Sequence, residues 1–417
     1  MSEVRPRELK QTSPRAVRLT RFFTSAWFWG AIAFAVSLIG SLSKMACADQ
    51  FWGASIRTYR LACYSDLGPL YAVRGVGQGV IPYLQSFHGS YLEYPVLTGA
   101  LIYLTHLLAL GFTGYTEQLR AFVMINWLLA AGFAAITAMA LRYLTGARKY
   151  GVLLFAASPL LFFDSGINWD LLAVCLAITA LLAHQRQRYR LAGVLIALGA
   201  AAKLWPILLL PMFLLDLCRR DRRTEAIKVA LASLAAWLAV NLPVLLANPT
   251  GWSEFYRFSR SRGLDAGSIW LALDDVRHVA PTTSTINAIS TGAFFLAALG
   301  IGWAFSTYRI SLHLGITALV VVFTVVGKVY SPQYALWLLP MFILTVRNRP
   351  ALLAWQALQV LYFFAIWQRL LGLSTANAQG ISDLPYGILI LLMHLSTVLL
   401  LGLAWWGEQR KTGPTLG

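Results

Sequence analysis

Residues 191–223 read LAGVLIALGA AAKLWPILLL PMFLLDLCRR DRR, and this stretch decides which solvent the chain folds in. Two apolar runs, 191–203 and 206–217, meet at Lys203-Leu204-Trp205-Pro206 and finish in an arginine cluster. Each run is about 20 Å long at ~1.5 Å per residue, short of the ~30 Å of hydrocarbon in a bilayer. The pattern predicts a hairpin whose apex stops inside the membrane, where irregular backbone is tolerated if it lines a cavity. A lysine at that depth is expensive and marks Lys203 as a functional position.

The rest of the chain agrees. Of 417 residues, 58% are hydrophobic and 12% charged, and the mean hydropathy is +0.63. A soluble chain carries about 45–50% apolar and roughly 25% charged residues, so there is too little charge here to cover a soluble surface. Apolar runs occupy 22–43, 95–111, 119–141, 149–165, 169–184, 191–203, 206–217, 226–247, 286–306, 310–327, 332–346, 350–371 and 385–407. The expected fold is all-α and polytopic. The run from Phe22 is too long for a signal-peptide core and reads as a retained first span. A net charge of +17 suggests nucleic acid, but Lys and Arg sit in small groups between apolar runs and form no basic stripe. No nucleic-acid partner is expected.

Those groups set the orientation. If 95–111 lies along the interface, twelve spans remain, both termini are cytoplasmic, and most of the 34 basic residues fall inside. If 95–111 spans, every later cluster flips outward. The first arrangement is therefore expected: a cytoplasmic basic tail 1–21, one transmembrane domain 22–407 with external loops 44–118 and 248–285, and a cytoplasmic tail 408–417. Asp49, Asp66, Glu93, Asp164, Asp170, Asp265 and Asp383 then lie outside or at external span ends. Any polar chemistry faces outward. Of four cysteines, Cys47 and Cys63 share an external loop and either pair or remain free; Cys175 and Cys218 are expected to be buried free thiols. No pair is spaced C-x-x-C, and no metal or cofactor is expected.

Four external segments carry the candidate chemistry. The first runs Cys63-Tyr64-Ser65-Asp66-Leu67-Gly68-Pro69, continues through Arg74, and ends at Glu93-Tyr94-Pro95. Asp66 is either a proton acceptor beside a lipid-bound substrate or, with Ser65, the cap of a short helix whose first turn holds Pro69. Asn168-Trp169-Asp170 opens the 169–184 run, where the helix dipole alone also favours a carboxylate. Lys328, Gln333 and Tyr334 sit at another span boundary and suit a phosphate or sugar, or form an interfacial belt with a snorkelling lysine. Arg257, Arg260 and Arg262 either clamp a phosphate or face anionic headgroups.

Taken in this order, Tyr64-Ser65-Asp66, Glu93-Tyr94-Pro95, Asn168-Trp169-Asp170, Lys203 with Pro206, and Ser331-Pro332-Gln333-Tyr334 before Trp337 and Pro340 resemble the GT-C class of integral-membrane glycosyltransferases. The similarity is greatest to family 87, the polyprenol-phosphate-mannose-dependent α-mannosyltransferases of actinobacterial type. The resemblance implies about twelve transmembrane helices with in-plane helices in the first external loop. It also implies inverting hexosyl transfer, from a polyprenyl-phosphate sugar to a cell-envelope glycolipid or glycan acceptor, on the outer face of the plasma membrane. Asp66 matches the first-loop general base of this class, with Glu93 or His88 next in line. Arg74, Glu93, Tyr94, Asn168, Asp170, Lys203, Arg257, Arg260, Lys328, Gln333 and Tyr334 are the expected substrate contacts. A groove between 95–111 and the short hairpin is expected to admit the prenyl chain.

Two readings compete: a transporter or flippase of a lipid-linked or small polar substrate, and an envelope scaffold. A transporter places polar residues near mid-membrane in broken helices, whereas here the carboxylates gather externally. Donors carrying arabinose or glucose also remain open, because the sugar is chosen by hydroxyl contacts.

Overall fold

The computed structural model describes residues 25–48, 56–146, 149–278, 281–308, 310–374 and 380–412. The tail 1–21, Asp49, Arg148 and the end of the 408–417 tail lie outside them. Among the described residues the chain is all-helical, with only an isolated bridge between Phe87 and Ser90. Helices stand at almost every apolar run: Ala26–Leu42, Val96–Ala109, Tyr115–Leu144, Asp170–Gln185, Tyr189–Ala202, Leu209–Arg219, Arg223–Ala247, Thr283–Thr307, Leu312–Val326, Ala335–Thr345, Arg349–Ser374 and Asp383–Thr412. The run 149–165 departs from this, because Ser158 caps a new helix at Leu160 N and Pro159 starts it, dividing the segment into Leu153–Ala156 and Pro159–Asp164.

Among the described residues, six helices are long and apolar enough to cross a membrane, and five more apolar helices run 10–17 residues. Thr283–Thr307 leaves Phe295, Leu296, Leu299 and Trp303 exposed, an outward face that only hydrocarbon tolerates. The chain is a polytopic membrane protein. Its core is built on small-residue contacts: Gly193 brings Tyr189–Ala202 so close to Arg223–Ala247 that an added Cβ would lie 2.6 Å from the Val229 carbonyl, and Ser233 Oγ donates to the Gly193 carbonyl at 2.9 Å.

Polar groups sort to two ends of this bundle. At one end Arg186 lies over the Tyr143 ring, Asp216 pairs with His184 and Arg220, and Arg222 reaches Gln187 and Tyr189. Arg219 there donates to the carbonyls of Phe305 and Ile310, and Glu408 accepts from Ser311. The other end joins residues 64–66, 94, 166–170, 203, 265–268 and 328–337. Helix Val96–Ala109 begins beside Tyr94, which reaches Asp66, and ends beside Tyr71, which bonds His106 and faces Tyr115. Both of its ends thus contact residues of the first loop. Thr98 Oγ1 donates to the Ala202 carbonyl at 2.7 Å, which joins this helix to the hairpin. A crevice beside it is lined by Leu101, Phe133, Asn168 and Leu172.

Cys47 and Cys63 form a disulfide with Cα atoms 5.8 Å apart. Cys175 is buried, but Cys218 is exposed, contrary to expectation. Met212, Phe213, Asp216 and Leu217 take the inward face of Leu209–Arg219, and helical periodicity turns residue 218 out. Under denaturing but non-reducing conditions the chain is therefore expected to show two reactive thiols, rising to four after reduction; four before reduction would remove the disulfide.

Candidate active site

The first loop is fixed to the core before any side chain chemistry begins. The Asp66 amide donates to the Ile167 carbonyl at 2.7 Å, and Ser65 Oγ donates to the Gly166 carbonyl at 2.8 Å. Asp66 stands at the cap position of helix Leu67–Val73, yet its side chain makes no cap bond. Its carboxylate points elsewhere. Tyr64 donates to Oδ1 at 2.7 Å, Tyr94 to Oδ2 at 3.1 Å, and Asn168 to Oδ2 at 3.4 Å.

Burial pushes the Asp66 carboxyl above the ordinary carboxylate range, opposed first by the Tyr64 hydroxyl, then by the Lys203 charge and the Tyr94 and Asn168 bonds. The Tyr94 hydroxyl stays protonated, because burial and the charges of Asp66 and Asp170 raise it far above the usual phenol. It remains a donor.

Lys203 ends helix Tyr189–Ala202 in extended backbone, its amide still bonded to the Gly199 carbonyl. The ammonium pairs with Asp170 Oδ1 at 2.8 Å and lies 5.1 Å from the centre of the Tyr94 ring. Asp170 is 2% exposed. Its second oxygen accepts from Trp337 Nε1 at 3.1 Å, and its amide donates to Asn168 Oδ1. Asp170 thus supplies the counter-charge that a membrane-embedded lysine demands. Trp337 stacks with Tyr334 at 3.7 Å and with Trp205 at 5.5 Å, an aromatic wall beside the charged groups.

A second cluster faces the first. Arg262 pairs with Asp265 at 2.9 Å, the Asp265 amide donates to the Lys328 carbonyl, and the Lys328 ammonium donates to the Arg260 carbonyl at 2.9 Å. Burial raises the Asp265 carboxyl and the negative charge of Asp66 raises it further, while Arg262 and a Ser331 bond oppose. Burial and Arg262 lower the Lys328 ammonium. Tyr334 stacks on Trp337, whose indole bonds Asp170, and closely follows Ser331, which bonds Asp265, so it adjoins both clusters.

The structure therefore brings together Asp66, Tyr94, Asn168, Asp170, Lys203 and Tyr334, with Lys328 in the adjoining cluster. Gln333 is buried, its Oε1 without a hydrogen-bond partner among the described residues. Arg74 and Glu93 form a two-bond pair with each other at 2.6 and 2.8 Å. Arg257 is tied to Glu254 on the exposed face of Pro249–Ser261, and Arg260 is exposed. Of the arginine trio, only Arg262 turns toward the carboxylates. Asp265 was not proposed as a site residue from sequence, although its polar, glycine-flanked loop carried a signal; Trp337 entered only as part of the motif that runs from Ser331 to Pro340, with no role of its own. Among the described residues, no three His, Cys, Asp or Glu side chains converge on a metal site.

An all-helical membrane bundle with a gripped carboxylate, flanking cations and an aromatic wall is suited to transfer of a polar group at a membrane surface. A model of glycosyltransferase family 87 matches residues 91–327, more than half of the chain, and no curated protein matches it. The chain belongs to glycosyltransferase family 87 and is a membrane glycosyltransferase. The transporter and scaffold readings fall away. The matched stretch contains Tyr94, Asn168, Asp170, Lys203, Arg262 and Asp265, whereas Asp66, Lys328, Gln333 and Tyr334 lie outside it.

Removing one partner of a buried ion pair costs about 3–5 kcal/mol, because the other charge is left stranded. Lys203→Met is expected to lower thermal stability in detergent, and Lys203→Met with Asp170→Asn to recover much of the loss. Additive losses in the double variant would show that the pair is not coupled.

Proposed function

We propose that this glycosyltransferase moves a hexosyl unit, mannosyl in the reading that family resemblance favours, from a polyprenyl-phosphate sugar to a hydroxyl of a cell-envelope glycolipid or glycan. The observation that carries the reading is the Asp66 carboxylate, held by three donors and relieved of any capping role. The acceptor oxygen attacks the anomeric carbon from the face opposite the phosphate. Its proton passes to Asp66, the new C–O bond forms, and the electron pair of the breaking bond leaves with the polyprenyl phosphate. A β-linked donor then gives an α product. Lys203, Arg262 and Lys328 are the cations placed to meet the charge growing on the phosphate, and the Tyr334–Trp337 wall suits the apolar face of a sugar ring.

The Cys47–Cys63 disulfide, three residues from Asp66, supports an extracytoplasmic site, since disulfides persist in oxidising compartments. The basic clusters at the opposite end support a cytoplasmic position there. In a background lacking Cys218, a cysteine at position 115 is expected to label from outside and one at position 188 only from the cytoplasm. Labelling of 115 solely from the cytoplasm would reverse the orientation.

Membranes carrying the protein, incubated with a panel of labelled polyprenyl-phosphate sugars and acceptor lipids, should transfer one of them. Asp66→Asn keeps the shape but accepts no proton at neutral pH, so a rate loss of about 10²–10⁴-fold is expected, with donor binding retained. Transfer within about threefold of wild type would defeat the assignment.

A further inference from the structure

We propose that Tyr64 is a positioning residue that fixes the orientation of the Asp66 carboxylate and keeps it ionisable, and that Trp367 holds Tyr64 in place; this rests on the reading of Asp66 as the base. The Tyr64 hydroxyl makes the shortest of the three bonds to the carboxylate, 2.7 Å to Oδ1. Oδ2 accepts from both Tyr94 and Asn168, at 3.1 and 3.4 Å, which fills its two lone-pair directions, so the second lone pair of Oδ1 is the one left to take the acceptor proton. Tyr64 holds Oδ1 through its other lone pair and steers the base without supplying a reacting atom.

The Tyr64 ring that brings this hydroxyl to Asp66 packs against Trp367. Its ring stacks on Tyr64 with centroids 4.7 Å apart and planes 23° apart, while Tyr59 lies nearly parallel to it at 6.4 Å. Trp367 is 3% exposed, and its indole N–H has no hydrogen-bond partner among the described residues. The ring's aromatic face, not its polar atom, is what the site uses. The same helix, Arg349–Ser374, packs against the short helix Ile56–Arg60 of the disulfide-closed loop. The base is thus oriented by a residue some 300 positions later in the chain.

Other charged or titratable groups whose fields reach Asp66 are Lys203 and Tyr94, and beyond them Asp265 and Tyr334. None of these is altered by Tyr64→Phe, which keeps the ring stack and removes one hydroxyl. A hydrogen bond to a charged group is worth roughly one to two pKa units. The sign follows: losing a donor to the ionised form raises the carboxyl's pKa, so activity must wait for a higher pH.

The experiment is the pH profile of kcat/KM for transfer from the active polyprenyl-phosphate sugar. Tyr64→Phe is expected to move the acid limb upward by about one to two pH units, with a plateau lowered less than about tenfold. Trp367→Leu should move the limb the same way, and the double variant should shift it no further, because Trp367 acts through the Tyr64 hydroxyl. A two-thiol count confirms that each variant keeps the closed loop. An unshifted limb in Tyr64→Phe, or additive shifts in the double variant, overturns the proposal. If Asp66→Asn is inactive while the Tyr64→Phe limb is unshifted, only this inference fails; an active Asp66→Asn removes the base reading itself.

Discussion

The turn between Asp164 and Asp170 is where the site is assembled, and its backbone carbonyls are the reason. Helix Pro159–Asp164 ends there, and carbonyls freed at a helix end near hydrocarbon must find donors. The Gly166 carbonyl accepts from Ser65 Oγ and from Trp127 Nε1, and the Ile167 carbonyl accepts from the Asp66 amide. Ser165 Oγ donates to the Ser37 carbonyl of the first helix. An added Cβ on Gly166 would lie 2.9 Å from Ser41 Oγ, so only glycine allows this approach. Satisfying one short turn therefore ties the first helix, the long helix Tyr115–Leu144 and the first loop to a single point. The carboxylate of Asp66 is brought to Asn168 as a consequence.

The separation of charge between the two ends of the bundle follows from the solvent. With only 12% charged residues, the chain has little to place, and hydrocarbon forbids placing it midway without a partner. Basic residues collect with His184, Asp216 and Glu408 at one end, whereas Asp66, Asp170 and Asp265 collect at the other. Lys203 is a cation among the acidic groups, and its pairing with Asp170 shows the condition under which such a charge survives. The proposed donor, with a lipid tail and a charged phosphate, matches such an end, since it too is apolar below and anionic above.

The helices were legible because a membrane imposes a simple code: long apolar runs, punctuated by charge, become helices at nearly those bounds. The break at Ser158-Pro159 was legible in principle from capping chemistry, but run counting passes over it. The site was partly legible. Asp66, Tyr94, Asn168, Asp170 and Lys203 announce themselves as polar residues at span boundaries, and the structure gathers them. Arg257 and Arg260 carry the same announcement but sit on the outer face of their helix, because composition does not fix helix rotation. Trp367 gave no sign at all: its partner Tyr64 is distant in sequence, and an apolar run hides which of its aromatics meets a loop.

Charge balance explains why these groups suit a lipid-phosphate donor in the proposed transfer. Asp66, Asp170 and Asp265 face Lys203, Lys328 and Arg262, three ionisable groups of each sign in a poorly solvated setting. In the reaction the donor phosphodiester becomes a phosphate monoester and gains a negative charge. At the same step the acceptor's proton neutralises Asp66. The total charge of the site is unchanged across the transfer, so no uncompensated charge builds up where water cannot screen it. A carboxyl raised by burial and restrained by a phenol suits this exchange: ionised before the step, and stable as the neutral acid after it.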